Sequence, residues 1–388
     1  LDELEMLAKT ANVETLGVIT QKLHRINPAF YIGKGKAQLV IEQAKLLNAN
    51  VVIFDDELSP AQIKNYHKLA KKIKVIDRSA LILDIFKKRA KTREAKTQVE
   101  LALCQYLLPR LTRQWTHLER QMGGVGTRAG MGETQIEIDR RLIREKISKL
   151  KIDLKKIESE RKTQSQNRVK EYRVALVGYT NAGKSTLFNS LTGNEVYVEN
   201  QLFATLDTTV RKLKLNKKHQ VLLSDTVGFI RKLPHNLVAS FRSTLKELLE
   251  ADHILIVLDA SSNIIEEHLE TINLVLNELG ATEIPKSYIF NKIDLIKKDV
   301  DLRKLKSSFI NAIFISALHH LKLDNIKKHL IDKVESNFDI FDLNIAYDQG
   351  KILSEIQDQA EILDTDYGDE FIKLKIRGRE NSIKRLFK

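Results

Sequence analysis

The sequence predicts an α/β chain in four parts: a small N-terminal parallel α/β layer over residues 1–91, a long antiparallel helical hairpin over 92–170, a larger α/β domain over 171–337, and a short α+β tail over 338–388 with a helix over 348–362 and the strand FIKLKIR. Three observations carry that division. Short apolar runs alternate with helical periodicity in the first ninety or so residues. Two apolar seams then flank a glycine-rich stretch. Beyond them, an apolar strand pattern runs straight into a glycine loop that ends in Gly-Lys-Ser.

In the N-terminal part, TLGVIT (15–20), NVVIFDD (50–56) and IKVID (73–77) read as short strands. Helical patterns fall at roughly 37–48, 60–71 and 79–90. Ser59 is a good N-cap, and Pro60 suits the first turn, where a missing N–H costs nothing. Strands separated by helices imply a parallel sheet. The loop YIGKGK (31–36) reads as a turn with solvated lysines rather than as a phosphate site.

The hairpin is read from spacing. Leu101, Cys104, Leu108, Leu111, Trp115, Leu118 and Met122 step by three and four along one helix face, and Pro109 should kink that arm. Ile136, Ile143, Ile147, Leu150, Leu154 and Ile157 form the second seam. From Glu133 to Lys170 there are twelve Lys/Arg against seven Asp/Glu, which by itself reads as a solvated face. The turn is less ordinary. Gly123–Gly132 holds five glycines and Arg128, more than a helix turn needs. Gly124, Gly126, Arg128 and Gly130 would let the backbone approach a phosphate closely.

Composition narrows the class. The 388 residues are 43% hydrophobic and 30% charged, with net charge +13, which biases the chain toward anionic partners, nucleic acid ahead of a membrane surface. No apolar run approaches bilayer length, so stable membrane insertion is not expected. The acidic, amphipathic start LDELEMLAKT does not read as a secretory signal, and there is no initiator methionine. A single cysteine, Cys104, suits a reducing, cytoplasmic setting. Nothing clusters His and Cys as a zinc site would.

The larger domain carries the chemistry. Gly178, Tyr179, Thr180, Asn181, Ala182, Gly183, Lys184 and Ser185 form GxxxxGKS between the strand YRVALVG and the helix KSTLFNSLTG. Backbone N–H groups in such a loop cradle phosphate, Lys184 would reach the β- and γ-phosphates, and Ser185 would ligate Mg²⁺. VLLSDTVG then ends a strand in Asp225, Thr226, Val227 and Gly228. There Asp225 would hold the magnesium shell through water, and the Gly228 N–H would meet the γ-phosphate. Between them FATLD (Phe203, Ala204, Thr205, Leu206, Asp207) can place a threonine hydroxyl on the metal. YIFNKID ends a strand in Asn291, Lys292, Ile293 and Asp294. The Asp294 carboxylate can accept from guanine N1–H and N2–H₂ and finds no such donors on adenine, while Asn291 braces base and loop and the Lys292 stem lies along the purine. Ser316, Ala317 and Leu318 follow another strand, where a backbone N–H can meet guanine O6. Five motifs in this order at strand ends point to GTP. Phe229 follows DTVG where Ras-like switches place a water-orienting glutamine, so intrinsic hydrolysis should be slow; Phe229 as core filler is discounted if the segment is a solvent-facing switch.

At this point the chain resembles the HflX family of GTPases over nearly its whole length. The residues that carry the resemblance are DDELSPAQ (55–62), VIDRSALILDIFKKRAKTREAKTQVELA (75–102), YLLPRLTRQWTHLERQMGGVGTR (106–128), GETQIEIDRRLIREKI (132–147) and DTVGFIRKLPHNLVASF (225–241). The resemblance implies an N-terminal α/β layer with a helical hairpin, then a Ras-like P-loop G domain. It implies a monomer that binds the large ribosomal subunit through rRNA, not DNA, and splits stalled or idle ribosomes under stress. By the family pattern Thr205 is the switch threonine on Mg²⁺. Two departures stand out: the tip reads GTRAGMGETQ, longer than the family's usual GxRGPGETQ, and Thr208 replaces a proline. Two other functions stay open on the residues alone. One is a GTPase switch that recruits a protein or membrane partner. The other is a general NTPase or nucleotide kinase, against which NKID and SAL argue.

Overall fold

The computed structural model describes residues 2–111, 135–165, 171–193, 202–203, 206, 208–217, 219–232, 246–296, 298–336 and 339–347, and in the tail 349, 352–353, 355–356, 360–368, 371–378 and 383.

The N-terminal layer comprises α1 (Asp2–Thr10), α2 (Lys34–Leu46), β1 (Val51–Phe54), α3 (Pro60–Leu69), β2 (Lys74–Asp77) and α4 (Arg78–Arg89). β1 and β2 pair in parallel, with Val52 opposite Val75. Ser59 opens α3 in a reciprocal cap: its hydroxyl accepts from the Gln62 N–H at 3.2 Å, and Gln62 Oε1 accepts from the Ser59 N–H at 2.8 Å. TLGVIT is not a strand, contrary to its composition. Strand geometry needs a neighbour's backbone to satisfy its amides, and residues 15–20 share with β1 only the walls of a groove of ≈ 820 Å³. Leu16, Val18 and Ile19 stay exposed there.

The helical part begins with α5 (Arg93–Leu107), capped by the Thr92 hydroxyl on the Ala95 N–H at 3.1 Å. Pro109 interrupts the regular α-helix of this arm. The α-helix stops at Leu107 and a single 3₁₀ turn, Leu108–Arg110, takes over, because the proline ring and its missing N–H break the i→i−4 ladder. α6 (Gln135–Ser165) packs against α5 along the anticipated seam: Leu101, Cys104, Leu111, Ile143 and Leu150 form one buried cluster, flanked by Leu108, Ile147 and Leu154. Trp115, Leu118, Met122 and the tip residues Gly123–Gly132 lie outside the described residues.

The G domain is built on a six-stranded sheet of order β4-β5-β3-β6-β7-β8. Its strands are β3 (Tyr172–Gly178), β4 (Thr209–Lys214), β5 (Gln220–Asp225), β6 (His253–Asp259), β7 (Lys286–Asn291) and β8 (Ile313–Phe314). Only β4 runs antiparallel. Interleaved are α7 (Lys184–Thr192), the short α8 (Lys246–Leu249), α9 (Ile265–Leu279), α10 (Asp299–Ser308) and α11 (Leu323–Ser336). β3 and β6 are near-continuous apolar runs because apolar clusters cover both faces. Parallel strands place their carboxyl ends along one edge, where ligands of such sheets bind.

The tail departs most from expectation. Its single anticipated strand, FIKLKIR, is the centre of a three-stranded antiparallel sheet, β10-β11-β9. The strands are β9 (Asp339–Ala346), β10 (Glu361–Tyr367) and β11 (Phe371–Gly378). β10 takes the end of the helix anticipated over 348–362. EILDTDY has no strong period of its own, and its ladder with β11 decides its state.

Candidate functional site

The carboxyl ends of β3, β5, β7 and β8 bring most of the motif residues together. β3 ends at Gly178, and α7 starts at Lys184. Gly183 sits at φ +88°, and a Cβ there would stand 2.2 Å from Asn291 Nδ2. Only glycine allows both that backbone and that approach. Asn291 then ties the loop to the far motif: Nδ2 donates to the Ala182 carbonyl at 3.0 Å, and Oδ1 accepts from the Ala317 N–H at 2.9 Å. The Ala317 amide is thus committed to Asn291. Ser316 and Ala317 are buried and Leu318 is exposed.

Lys184 is buried, and its ammonium donates to the carbonyls of Gly178 at 3.0 Å and Tyr179 at 2.9 Å. Burial pushes its pKa down to about 8 against the attraction of Asp225. The Ser185 hydroxyl donates to Asp225 Oδ2 at 2.6 Å. A hydroxyl and a carboxylate converging beside a phosphate loop are the oxygen donors that Mg²⁺ takes, so these residues fit the metal. Thr226 is turned inward, its hydroxyl donating to the Leu176 carbonyl at 2.6 Å.

Lys292 adopts φ +63° and pairs with Asp259 at 2.7 Å. That pairing pins the NKID lysine over the loop that follows β6. Asp294 lies at the mouth, with His319 Nε2 at 3.6 Å. Ile293 packs at the edge of the main core. Asn181 stands at φ +62°. Of the FATLD segment, Phe203 and Leu206 are buried, Phe203 edge-on to Phe86 of α4 at 4.5 Å between centroids. Ala204, Thr205 and Asp207 lie outside the described residues.

Phe229 corrects a sequence expectation. It is buried and belongs to the main core cluster, so it is core filler after all. Its backbone zips onto the phosphate loop: the Thr180 N–H donates to the Phe229 carbonyl at 2.7 Å, and the Phe229 N–H to the Gly178 carbonyl at 3.1 Å. Tyr179 extends this contact. Its hydroxyl accepts the Arg231 N–H at 2.9 Å and donates to Glu3 of α1, while its ring stacks on His268 at 3.9 Å. Glu3 and His268 gave no sequence signal, because the contacts reach across distant parts of the chain. Asp259 did carry one, as the acid that ends the apolar run ILIVLD.

Comparison with known proteins agrees with this geometry. Residues 1–87 match the family described as GTP-binding GTPase N-terminal, 89–168 the GTP-binding GTPase middle region, and 173–292 the 50S ribosome-binding GTPase. The GTPase HflX of Flavobacterium psychrophilum is 46% identical over 355 residues, covering 86% of this chain and 85% of that protein. The chain belongs to the HflX family of GTPases. HflX of Escherichia coli is 43% identical over 357 residues, covering 91% of this chain and 83% of that one. Among solved structures, a GTP-binding protein from the archaeon Sulfolobus solfataricus in complex with GDP is 26% identical, with a TM-score of 0.45, covering 85% of this chain and 94% of that chain. As an HflX GTPase the chain binds and hydrolyses GTP. Among the described residues no helix is long and apolar enough to cross a membrane.

Proposed function

We propose that this GTPase works on the large ribosomal subunit and separates stalled or idle ribosomes, with GTP held by the loop 178–185. The observation that carries the proposal is the match of residues 173–292 to the family described as 50S ribosome-binding GTPase. The N-terminal architecture supports it. α6 alone has 31 residues, about 46 Å at 1.5 Å per residue, a reach suited to a large ribonucleoprotein. The net charge of +13 suits rRNA.

In this reading Gly178–Ser185 wraps the phosphates, Lys184 exchanges the carbonyls of Gly178 and Tyr179 for phosphate oxygens, and the Gly228 N–H meets the γ-phosphate. Asp294 accepts from guanine, and Asn291 holds loop and base site in register. Ser185 and Thr205 would ligate Mg²⁺ directly and Asp225 through water; the ion, when bound, neutralises charge on the β- and γ-phosphoryl oxygens. The carboxyl ends of the strands thus hold the nucleotide on one edge. The hairpin tip, with Gly124, Gly126, Arg128 and Gly130, approaches rRNA, and the compartment is the cytoplasm.

Co-sedimentation with purified 50S subunits tests the proposal. Binding should be stronger with a non-hydrolysable GTP analogue than with GDP, and 70S particles should lose light scattering when protein and GTP are added. Equal, weak binding in both nucleotide states would overturn it.

A further inference from the structure

The group that assists γ-phosphate transfer is not at Phe229, which is buried in the core. A polar candidate stands across from it. Thr180, third in GYTNAGKS, is 7% exposed, and its Oγ1 is fully buried with no hydrogen-bond partner among the described residues. Gly228 locates the residue. A Cβ built on Gly228 would meet Thr180 Cγ2 at 2.9 Å, Thr180 Cα at 3.0 Å and Lys184 Nζ at 3.0 Å. The Thr180 methyl and the Lys184 ammonium therefore border the same point, glycine at 228 lets them converge, and a turn about χ1 of Thr180 exchanges that methyl for the hydroxyl.

A buried hydroxyl without a partner destabilises a fold, and valine would fill the same shape without that cost. Polar orphans of this kind mark places where a ligand completes the bonding. The ligand atoms fitting a spot shared by a lysine ammonium and a glycine N–H are phosphoryl oxygens. Ser185, the other aliphatic hydroxyl of the loop, is already bonded to Asp225, so it does not compete for this role.

We propose that the Thr180 hydroxyl donates to a γ-phosphoryl oxygen of GTP and stabilises the charge there as the phosphoryl group transfers. This rests on placing the nucleotide on the loop 178–185. Water attacks the γ-phosphorus, the bond from that phosphorus to the β–γ bridging oxygen breaks, and GDP leaves with the electron pair. The water's proton passes to the released phosphate. Thr180 keeps its own proton throughout; its contribution is a preorganised dipole in a site shielded from water. GDP lacks the γ-group, so the hydroxyl discriminates triphosphate from diphosphate.

Two variants separate this role from packing. Thr180→Val should slow single-turnover GTP hydrolysis by about tenfold or more, the loss ordinary for one hydrogen bond to a charged group. Its affinity for fluorescent GDP should stay within about twofold, since that ligand does not reach the hydroxyl. Thr180→Ser should recover most of the rate. Without nucleotide, Thr180→Val should melt no lower than wild type. Hydrolysis by Thr180→Val at the wild-type rate would overturn the proposal, as would a loss of GDP affinity as large as the loss of rate. Wild-type GDP binding by Lys184→Ala would instead overturn the placement of nucleotide on this loop.

Discussion

Asp294 illustrates how a single side chain can hold both a specificity and its test. It stands at the mouth of the site beside His319, on a turn fixed by the Lys292–Asp259 pair and by the left-handed backbone of Lys292. In the proposed reading a carboxylate there accepts two guanine donors and leaves its own lone pairs unmet by adenine. Replacing it by asparagine supplies an N–H for the C2 carbonyl of xanthine. Asp294→Asn should therefore weaken GTP binding by about tenfold or more and raise the relative affinity for XTP. Competition binding with GTP, ATP and XTP checks it, and an unchanged order of preference would remove Asp294 from the base site. The NKID motif that singles out Asp294 was legible in the sequence, as were Gly183 and Lys184 in the loop motif. The burial of Phe229 was not, because a strand-end phenylalanine looks the same whether the following segment faces solvent or core.

At the scale of elements, the hairpin is anchored where β2 passes into α4. Asp77 is fully buried there and collects three donors: the Ala80 N–H at 2.9 Å, the Leu58 N–H at 3.1 Å and the Tyr106 hydroxyl at 2.9 Å. Arg110 lies 3.6 Å away and also donates to the carbonyls of Tyr106 and Leu58. One carboxylate thus caps α4, holds the loop after β1 and fixes the last turn of the α5 arm. Asp77→Ala should cost about 3 kcal/mol, because two backbone N–H groups and a buried phenol lose their acceptor together, while Arg110 keeps Glu57 at 2.8 Å. Chemical denaturation would show this as a lower midpoint with unchanged slope. A loss below about 0.5 kcal/mol, as at a neutral surface site, would mean that the carboxylate does not anchor the arm. Sequence reading found the arm and its seam and expected a kink at Pro109, where the chain changes helix type. The proline's geometry was visible; the network that uses the break at Arg110 was not.

Across the whole molecule, the main apolar cluster joins the N-terminal layer to the G domain. Leu7, Leu81, Ile82 and Phe86 share it with Phe203, Leu206, Phe229 and Ile230. The Arg78–Glu3–Tyr179 chain runs beside it, Arg78 pairing with Glu3 at 2.7 Å and with Asp55 at 2.6 Å. With the segment after DTVG packed on α1 and α4, the two parts should unfold as one unit. GDP at a hundredfold excess over its Kd should then stabilise the N-terminal layer as well, by about 2.7 kcal/mol. Amide exchange in α4 and β2, followed with and without GDP, reads this directly. Protection that rises in the G domain alone would show two independent units.

Local patterns were written in the chain: the phosphate-loop motif, the NKID turn and the helix caps each depend on residues within about ten positions of one another, and the seams on steps of three and four. Such features need only neighbours in sequence, so periodicity and motif spacing suffice to find them. Tertiary structure alone decided the features that depend on distant partners. TLGVIT has strand composition and joins no ladder among the described residues, EILDTDY has little strand character and becomes one against β11, and Phe229 turns inward into an apolar cluster that includes residues of α1 and α4. A strand is defined by its neighbour and a core by its closure. Neither is present until the chain has folded.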